Sequence, residues 1–442
     1  MENTEDVVGE VAATPAVEKK KCKLWVKITC IVLAAVIGII AVLGITFACV
    51  WSDEISSVRS FTKLRNRKDS NQEGAVYMMR VKGGFYFDDF LAQGGASSDK
   101  QLINFITNHI TRGLIDVSIG ETDIGCSSFT AVTPSGDIIF ARNYDFAKTN
   151  VCLTFTDPKD GRHKSFSTVD LNYIGMDINK DVEGLMNQIT CLAAPYVPLD
   201  GMNDAGVSCG IYMSYQGGDG EEGTVATNQN DAAKQNITST TMLRLVLDYA
   251  DNVDEAVELI KKYNLHDSAN TSFHYMVADA TGKSAILEWL PADGGTDATD
   301  NDGTARELVV TYNTDEMYND LRASDAFKYQ WVTNFIVNGQ DSYYTDNEAK
   351  PGYGRYEHIY DRLRATNGVV TDERAAMQIL SEVGQRTFNG GGGCTVHSAV
   401  FNLTKKTVLW VPNENYDDEN AYFTYSFATD VITPNPVYAM FL

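Results

Sequence analysis

The longest apolar stretch of the chain lies near its N-terminus, at residues 28–51, and contains no charged residue. Roughly two dozen residues are enough to span a bilayer at a rise of ~1.5 Å per residue. The basic run KKKCKLWVK, at residues 19–27, precedes this stretch, and Asp53 and Glu54 follow it. Because basic residues concentrate on the cytoplasmic side, the pattern predicts a transmembrane signal anchor at 28–51 and a cytoplasmic tail at 1–27.

A cleaved signal peptide is the main alternative for this apolar stretch. The apolar region of such a peptide is about 7 to 15 residues long and ends at a small-x-small cleavage site, whereas this run is longer. The segment ITFAC, which ends at Cys49, loosely resembles a lipoprotein box, but Thr46 stands where an aliphatic residue is expected. We therefore favour the anchor, which makes the protein a single-pass membrane protein with the rest of the chain outside the cytoplasm.

The pattern changes twice between the anchor and residue 126. Residues 52–74 are charged and poor in apolar side chains, which predicts a linker. Residues 75–125 are globular in composition, and Ser98 with Gln101 forms a capping box ahead of an amphipathic helix. The apolar positions of that helix are Leu102, Ile103, Phe105, Ile106, Ile110 and Leu114. This face is expected to pack on another element.

Short alternating strands dominate the rest of the chain, with helical patterns between them. Residues 239–265 carry helical spacing in two parts that break near Asp251 and Asn252. A second helical pair is predicted at YGRYEHIYDRLRAT and TDERAAMQILSEVG, and strands return at the C-terminus. Sheets covered by helices indicate a layered α+β domain over residues 126–442.

Composition excludes some classes of function. The chain has 36 Lys and Arg residues against 59 Asp and Glu residues, and its net charge of -23 repels phosphate backbones, so no nucleic-acid partner is expected. Eight cysteines show no C-x-x-C spacing and no paired metal-ligand pattern. We therefore expect neither a metal nor a cofactor. A homo-oligomer is compatible with the sequence.

The pair Gly125-Cys126 opens the segment GCSSFTAVTPSGDIIFARNYDF, which reads as strand, turn and return strand. An N-terminal cysteine can use its own α-amine, which titrates near 8, as the base that activates its thiol. A glycine ahead of the cysteine lets backbone approach the thiol closely. One interpretation is therefore a self-cleavage junction between the two residues. The other is that Cys126 is a small buried apolar residue at the start of a strand.

Arg142 and Asp145 strengthen the first interpretation, because the return strand would bring both side chains back beside Cys126. A cation favours the thiolate, and a carboxylate can hold the ammonium group. The alternative for this pair is a surface salt bridge.

The same segment resembles the nucleophile hairpin of the choloylglycine hydrolase family of linear amide C-N hydrolases, which includes bile salt hydrolases and penicillin V acylases among the N-terminal nucleophile hydrolases. The acid-ceramidase-like relatives share much of it. Further segments resemble family motifs in the same order, and they cover residues 126–442: DGMNDAGVSCGIYMS, TSFHYMVADATGKSAILEW, VVTYNT and YGRYEHI. Several ordered matches are far more specific than any single motif.

The resemblance implies a four-layer αββα fold and a set of functional residues. Cys126 would be the nucleophile, Asp145 the partner of its α-amine, and Arg142 the cation beside the thiol and the substrate. Asn313 would donate to the oxyanion hole, and Arg355 would support the site electrostatically. The other implied contributors are a backbone N-H at Tyr212 or Met213 for the oxyanion hole and Asn203 for the shape of the site. His274 and His397 are interpreted as packed or surface histidines.

The resemblance also implies a reaction, the hydrolysis of a linear amide C-N bond without a metal. The expected substrate is a conjugated bile acid, a penicillin V-like amide, an N-acyl amino acid or a lipid amide. Ala141 replaces the family's usual glycine before Arg142, and the long segment before Cys126 is closer to the acid-ceramidase-like layout, in which residues 75–125 would be a pro-segment. Acyl transfer to an amine, and a surface binding protein that never matures, remain alternatives.

Overall fold

The computed structural model describes residues 17–69, 72–110, 125–159, 161–215, 225–291, 303–318, 327–338, 349–386 and 393–434, with side chains from residue 23 onward. The chain divides into two compact units, of which the first ends at Ile55 and the second begins at Ser56. Residues 1–16 of the predicted cytoplasmic tail lie outside the described residues.

The first unit is built on one long helix, α1 (Val17–Val50). Its segment Lys23–Val50, 28 residues in length, is long and apolar enough to cross a membrane. At ~1.5 Å per residue this segment measures about 42 Å, against about 30 Å for the hydrocarbon core of a bilayer. The helix includes residues 28–50 of the apolar stretch 28–51 from which an anchor was predicted.

The remaining described α-helices are α2 (Ser52–Ser60), α3 (Phe87–Ala92), α4 (Asp99–His109), α5 (Leu185–Thr190), α6 (Ser239–Tyr249), α7 (Val253–Ile260), α8 (Tyr353–Ala365) and α9 (Glu373–Glu382). Helix α4 confirms the predicted amphipathic helix. The Ser98 side chain accepts a hydrogen bond from the Gln101 N-H, and Leu102, Phe105 and Ile106 are buried. Leu114, predicted on the same face, lies outside the described residues.

The predicted pair of helices in residues 239–265 is also confirmed. The two helices are α6 and α7, and the break between them falls at Asp251 and Asn252. The Asn252 side chain caps α7 by accepting a hydrogen bond from the Glu255 N-H. A short polar side chain at this position satisfies a backbone donor that the first turn of a helix leaves unpaired.

Eighteen strands are described. Nine form one sheet in the order β1-β2-β5-β6-β7-β8-β11-β12-β13, seven form a second in the order β14-β3-β4-β15-β16-β17-β18, and β9 and β10 form a parallel pair. Their bounds are β1 Thr62–Arg65, β2 Val76–Lys82, β3 Gly125–Val132, β4 Ile138–Ala147, β5 Val151–Asp157, β6 Ser165–Asp170, β7 Asp200–Asn203, β8 Ser208–Met213, β9 Gln235–Thr238, β10 Tyr263–His266, β11 Phe273–Ala278, β12 Ser284–Pro291, β13 Arg306–Tyr312, β14 Trp331–Val332, β15 Gly393–Asn402, β16 Thr407–Pro412, β17 Phe423–Ser426 and β18 Val431–Pro434.

Side-chain alternation shows that the two sheets face each other and that helices cover their outer faces. In β8, the Tyr212 hydroxyl reaches Ser128 of β3 in the other sheet, while the Cys209 sulfur points to the Leu243 carbonyl of α6. On the outer side of the seven-stranded sheet, the Asn143 amide donates to the Leu380 carbonyl of α9. Successive residues of a strand point to opposite faces, so the order of layers is helices, sheet, sheet, helices. The expected αββα architecture is confirmed.

Residues upstream of Cys126 contribute to the nine-stranded sheet. Strand β2 pairs in parallel with β5 in an unbroken register from Val76↔Val151 to Lys82↔Asp157. Strand β1, within the segment predicted as a linker, pairs with β2 at the edge of the sheet. The sequence pattern did not indicate these two strands, because β2 is placed by its pairing with β5, downstream of the predicted junction, and β1 pairs only with β2.

Candidate active site

The hairpin of β3 and β4 brings the candidate nucleophile and the candidate cation together. Its antiparallel register pairs Ser128 with Arg142 and Gly125 with Asp145. Cys126 lies two residues from Ser128 on the same strand, so the side chains of Cys126 and Arg142 point to the same face, between the sheets. One terminal nitrogen of Arg142, Nη2, lies 3.5 Å from the Cys126 sulfur. The predicted proximity of these side chains is therefore present.

The Arg142 guanidinium is fully buried and is held on several sides. Its Nη2 donates to the Ile211 carbonyl at 2.6 Å, and its Nε lies 3.1 Å from the Asp200 carboxylate. The guanidinium stacks over the Tyr212 ring at 4.5 Å from the centroid. A buried cation is tolerated only when it is paired and hydrogen-bonded. These partners fix the guanidinium beside the sulfur.

The thiol itself is wholly buried in the uncut chain. Burial raises the pKa of the Cys126 thiol to about 12, and the charge of Arg142 acts in the opposite direction. The neutral thiol is therefore the main form near pH 7 before the chain is cut. Generating the thiolate requires a base, which a free α-amine at Cys126 would supply.

Asp145 lies across the ladder from Gly125, at the other end of the cluster. Its Oδ1 accepts a hydrogen bond from the Thr395 hydroxyl at 2.6 Å, and its Oδ2 lies 3.5 Å from Nη1 of Arg355. Burial raises the pKa of Asp145 to about 6, while Arg355 acts to lower it. The carboxylate is therefore ionised above this pH and can hold a cation next to the junction.

Arg355, near the start of α8, joins the backbone of Cys126 to the cluster. Its Nη1 donates to the Cys126 carbonyl at 2.5 Å, and its Nη2 donates to Oδ1 of Asn334 at 2.7 Å. A Cβ at Gly352 would lie 2.7 Å from this Nη2, and Gly352 has a φ of +78°. Glycine is thus required at the first position before α8, both for its backbone conformation and for the space that Arg355 occupies.

Asn334 is part of the cluster, although it was not selected from the sequence. The Cys126 N-H donates to its Oδ1 at 2.9 Å, and its Nδ2 donates to the Met213 carbonyl at 3.0 Å. The residue follows β14, which pairs with β3 through Trp331↔Phe129 and Val332↔Ser128. A strand of two residues carries too little alternation for a pattern to identify it. The only available signal is the aromatic and apolar pair ahead of an Asn.

Asn313, expected in the oxyanion hole, makes its described hydrogen bonds away from Cys126. Its amide nitrogen donates to the carbonyls of Gly282 at 2.8 Å and Lys328 at 2.6 Å, and its Oδ1 accepts from the Ser284 N-H at 3.3 Å. Both amide hydrogens are thus used in joining the β11–β12 turn to the segment before β14. No contact between Asn313 and Cys126 is found among the described residues, whereas the Asn334 side chain contacts the Cys126 N-H.

Tyr212 belongs to the cluster through its side chain rather than through its N-H. The Ser214 N-H donates to the Ser272 carbonyl at 3.0 Å, and Tyr212 pairs with His274 two residues earlier on the same ladder. Hydrogen-bonded pairs alternate along antiparallel strands, so the Tyr212 N-H is directed toward β11. The expected role of this N-H in an oxyanion hole stays a prediction, and no contact among the described residues supports it.

Asn203 and His274 lie in structural positions. The Asn203 carbonyl oxygen accepts from the N-H groups of Ala205 and Val207, and its amide donates to the Ala250 carbonyl, so the side chain fixes the β7–β8 turn. Asn203 was expected to shape the site, but no contact between Asn203 and Cys126 is found among the described residues. His274 lies between Glu288 and the Thr333 carbonyl and is fully buried, as expected of a packed histidine.

Among the described residues, no group of three or more His, Cys, Asp or Glu side chains is arranged to hold a metal ion. The cluster offers the Cys126 thiol beside the Arg142 guanidinium. The Arg355 guanidinium contacts the Cys126 carbonyl and the Asp145 carboxylate.

Residues 126–301 match the sequence model of the linear amide C-N hydrolases, choloylglycine hydrolase family. A bile salt hydrolase/transferase of Clostridium perfringens is 33% identical over 100 residues, which cover 20% of this chain and 27% of that protein. The chain thus aligns with about a quarter of that relative's length.

Two solved structures cover most of their own chains. A mutant conjugated bile acid hydrolase from Clostridium perfringens has a TM-score of 0.43 at 15% identity, covering 70% of this chain and 96% of its own. Penicillin V acylase from Agrobacterium tumefaciens has a TM-score of 0.44 at 15% identity, and the match covers 69% of this chain and 86% of the acylase chain. The family match begins at Cys126, the residue on which the hairpin, the guanidinium and the resemblance of motifs converge. Over residues 126–301 the chain is therefore similar to the choloylglycine hydrolase family of linear amide C-N hydrolases.

Proposed function

We propose that the chain is the precursor of a cysteine amidohydrolase that cuts itself between Gly125 and Cys126 and then hydrolyses a linear amide C-N bond. The observation that carries the proposal is the convergence of two guanidinium groups and a carboxylate around one residue, Cys126, whose thiol lies at the proposed junction. Arg142 lies 3.5 Å from the sulfur, and Arg355 donates to the Cys126 carbonyl at 2.5 Å and lies 3.5 Å from Asp145. A structural cysteine needs no such surroundings.

Self-cleavage would begin with attack of the Cys126 sulfur on the carbonyl carbon of Gly125. The thiol proton passes to the Cys126 nitrogen as the C-N bond breaks, which leaves a thioester and a free α-amine. Water then adds to the thioester, releases the Gly125 carboxylate and restores the thiol. The new α-ammonium would form where the Cys126 N-H now donates to Asn334 and where Asp145 lies across the ladder.

Amide hydrolysis would use the same atoms with an added substrate. The α-amine accepts the thiol proton, the sulfur attacks the substrate carbonyl, and the amine product leaves with the proton from the α-ammonium. Water then hydrolyses the acyl-enzyme thioester. Arg142 stabilises the thiolate, while Asp145 and Asn334 orient the α-amine. A conjugated bile acid is the first substrate to test because the curated relative is a bile salt hydrolase/transferase, followed by penicillin V-like amides, N-acyl amino acids and lipid amides.

Acyl transfer is the second candidate, since that relative carries both activities in its name. An acyl thioester reacts with an amine as it does with water. Adding glycine or taurine to the assay and measuring new amide against free acid distinguishes the two reactions.

We also propose that the protein is anchored in a membrane by residues 28–51, with residues 1–27 in the cytoplasm and the catalytic domain outside it. Support comes from the length and apolar character of Lys23–Val50 and from the basic run that precedes the apolar stretch.

The pro-segment would remain bound after cleavage. Its strand β2 lies inside the nine-stranded sheet, between β1 and β5. Rings of Phe87, Phe90 and Phe105 surround Tyr196 at centroid distances of 5.8, 5.8 and 6.0 Å. These buried contacts support an association that does not depend on the bond at the junction, so the mature enzyme would keep its anchor.

Intact mass and N-terminal sequencing of the full-length protein test the proposal. Wild type is expected to give a chain that begins at Cys126, and Cys126→Ala is expected to stay whole. Cys152→Ala is the matched control, because Cys152 is an equally buried thiol of the core for which no charged partner is found among the described contacts. A wild-type chain that stays whole, or a Cys126→Ala chain that is cut, would refute self-cleavage by this thiol.

A further inference from the structure

A β-bulge in β15 directs two neighbouring polar side chains to opposite faces of the seven-stranded sheet. Thr395 pairs with Asp145 and His397 pairs with Tyr144, so Val396 is an extra residue with no place in the register. Without the bulge, Thr395 and His397 would share one face. With it, Thr395 reaches Asp145 while His397 turns into the space between the sheets. Bulges of this kind re-aim side chains beside active sites.

His397 meets Asp200, the first residue of β7 in the opposite sheet. The Nε2 of His397 and Oδ2 of Asp200 lie 2.7 Å apart, and both side chains are fully buried. The same Oδ2 lies 3.1 Å from Nε of Arg142. One carboxylate oxygen therefore joins an imidazole of β15 to the guanidinium of β4.

The orientation of Arg142 depends on this contact. A guanidinium is planar, so an ion pair at Nε on one edge constrains the direction of the terminal nitrogens on the other. Nη2 of Arg142 points at the Cys126 sulfur and at the Ile211 carbonyl. If Asp200 had Arg142 as its only cationic or N-H partner, the carboxylate would draw the guanidinium away from the sulfur.

We propose that His397 and Asp200 are positioning residues: His397 holds the Asp200 carboxylate, and Asp200 holds the Arg142 guanidinium against the sulfur of Cys126. Neither residue touches the sulfur, and both act through Arg142. The inference rests on the proposed function of Cys126 as the nucleophile and extends the site to residues that the motifs did not select for it.

Packing is the competing role for His397. Its ring stacks on Trp410 at 5.5 Å between centroids and lies 5.3 Å from the ring of Tyr144. If packing is the main role of His397, an aromatic residue in its place should preserve activity better than a polar residue. If the N-H donor of His397 is what matters, a polar residue that keeps such a donor should preserve activity better.

Two substitutions separate these roles. His397→Phe keeps an aromatic ring between Trp410 and Tyr144 and removes the donor. His397→Gln loses the ring and keeps an N-H donor at a reach similar to that of Nε2. His397→Leu, close in volume to histidine and also without a donor, serves in place of His397→Phe if that chain does not fold, and thermal unfolding of each variant checks this.

The first readout is the pH dependence of alkylation of Cys126 by iodoacetamide in the native full-length protein, with the Cys126 peptide quantified by mass spectrometry. The titratable groups around this thiol are Arg142, Tyr144 and Asp145 of β4, Tyr212 of β8 and Arg355 of α8. Those around Asp200 are Arg142, His397 and Cys209. His397→Phe alters none of them except the imidazole.

We expect the alkylation midpoint of His397→Phe to rise by about one pH unit, because the thiolate loses a close cation. His397→Gln should keep the wild-type midpoint. In the hydrolysis assay, His397→Phe should lose about 10- to 100-fold in kcat with little change in KM, and His397→Gln should stay within about 3-fold of wild type.

An unchanged midpoint in a folded His397→Phe chain would overturn the inference, as would an unchanged kcat. A larger loss in His397→Gln than in His397→Phe would assign His397 to packing and also overturn it. A failure of the proposed function has a different signature: wild type would neither cut itself nor hydrolyse amides, while the midpoint comparison would still decide the role of His397.

Discussion

Gly210 and Arg142 occupy adjoining space across the gap between the two sheets. A Cβ on Gly210 would lie 2.2 Å from Nη1 of Arg142 and 2.8 Å from the Tyr212 hydroxyl. Only glycine at this position in β8 leaves room for the guanidinium in the orientation that reaches the Cys126 sulfur. The position of the Arg142 guanidinium beside the thiol therefore depends on the lack of a side chain at Gly210.

Gly210→Ala is expected to displace Arg142 from the sulfur. Overpacking in a dense core costs about 1–3 kcal/mol, and misplacing a catalytic group by about 1 Å can cost about 100-fold in rate. The measurements are the rate of self-cleavage and the thermal midpoint of the full-length protein. Gly354→Ala in α8 is the control, because a Cβ there would meet nothing within 4 Å. Equal cleavage by Gly210→Ala and wild type would mean that the position of Arg142 does not matter.

Asn334 and Asn313 give a matched pair of substitutions with different expected effects. Asn334→Ala removes the side chain that accepts from both the Cys126 N-H and Arg355, so cleavage should slow by about 100-fold. Asn313→Ala removes three hydrogen bonds away from the cluster, so it should lower the free energy of unfolding by about 2–3 kcal/mol and leave cleavage by the folded protein unchanged. The two rates, normalised to folded protein, check this. The opposite ranking would restore Asn313 to the site.

Asp267 is expected to make stability fall as the pH rises. Burial raises the pKa of this carboxyl to about 7, with hydrogen bonds from Thr227 and Ser239 acting in the opposite direction. The folded state thus binds this proton more tightly than the unfolded state, so the contribution is greatest below pH ~4 and is lost as the pH rises through about 7. The free energy of unfolding of wild type minus that of Asp267→Asn should shrink by about 2–4 kcal/mol between pH 4 and pH 8. A difference that stays constant would contradict the prediction.

Residues before Cys126 are expected to remain bound after the chain is cut at the junction. A protease recognition sequence inserted between residues 110 and 125 allows cutting that is independent of self-cleavage. After cutting, an N-terminal tag should still recover the C-terminal chain, and 8 M urea should separate the two. Arg162→Ala is expected to weaken recovery, because Arg162 donates to the Gly84 carbonyl at 2.9 Å and lies 3.7 Å from Asp88. Separation in native buffer would refute retention.

The site is predictable from sequence where it is local and not where it is assembled from distant elements. Cys126, Arg142 and Asp145 belong to one hairpin, whose turn and alternation are visible in the residues. Asn334 depends on a strand of two residues and on pairing across more than 200 positions, neither of which leaves a periodic signal. His397 depends on a bulge, which changes the face of a strand without changing its composition.

In the fold, too, elements with a local sequence pattern were predicted, and elements placed by distant pairing were not. The helices α4, α6, α7, α8 and α9 were predicted because each carries its own apolar periodicity. Strand β2 was not, because its place beside β5 is set by a parallel pairing that requires most of the intervening chain. A short apolar run without this partner is as compatible with a buried helix as with a strand.

The parallel pairing of β2 with β5 has a consequence for reversibility. Before cutting, the two strands are joined by one chain, and their pairing is an intramolecular event whose cost depends only on loop length. Once Gly125 is separated from Cys126, the same sheet belongs to two molecules. An unfolded mature enzyme would then have to find its N-terminal partner by diffusion, so recovery of activity on dilution from denaturant should depend on protein concentration. The uncut Cys126→Ala chain, by contrast, should refold at a rate independent of concentration.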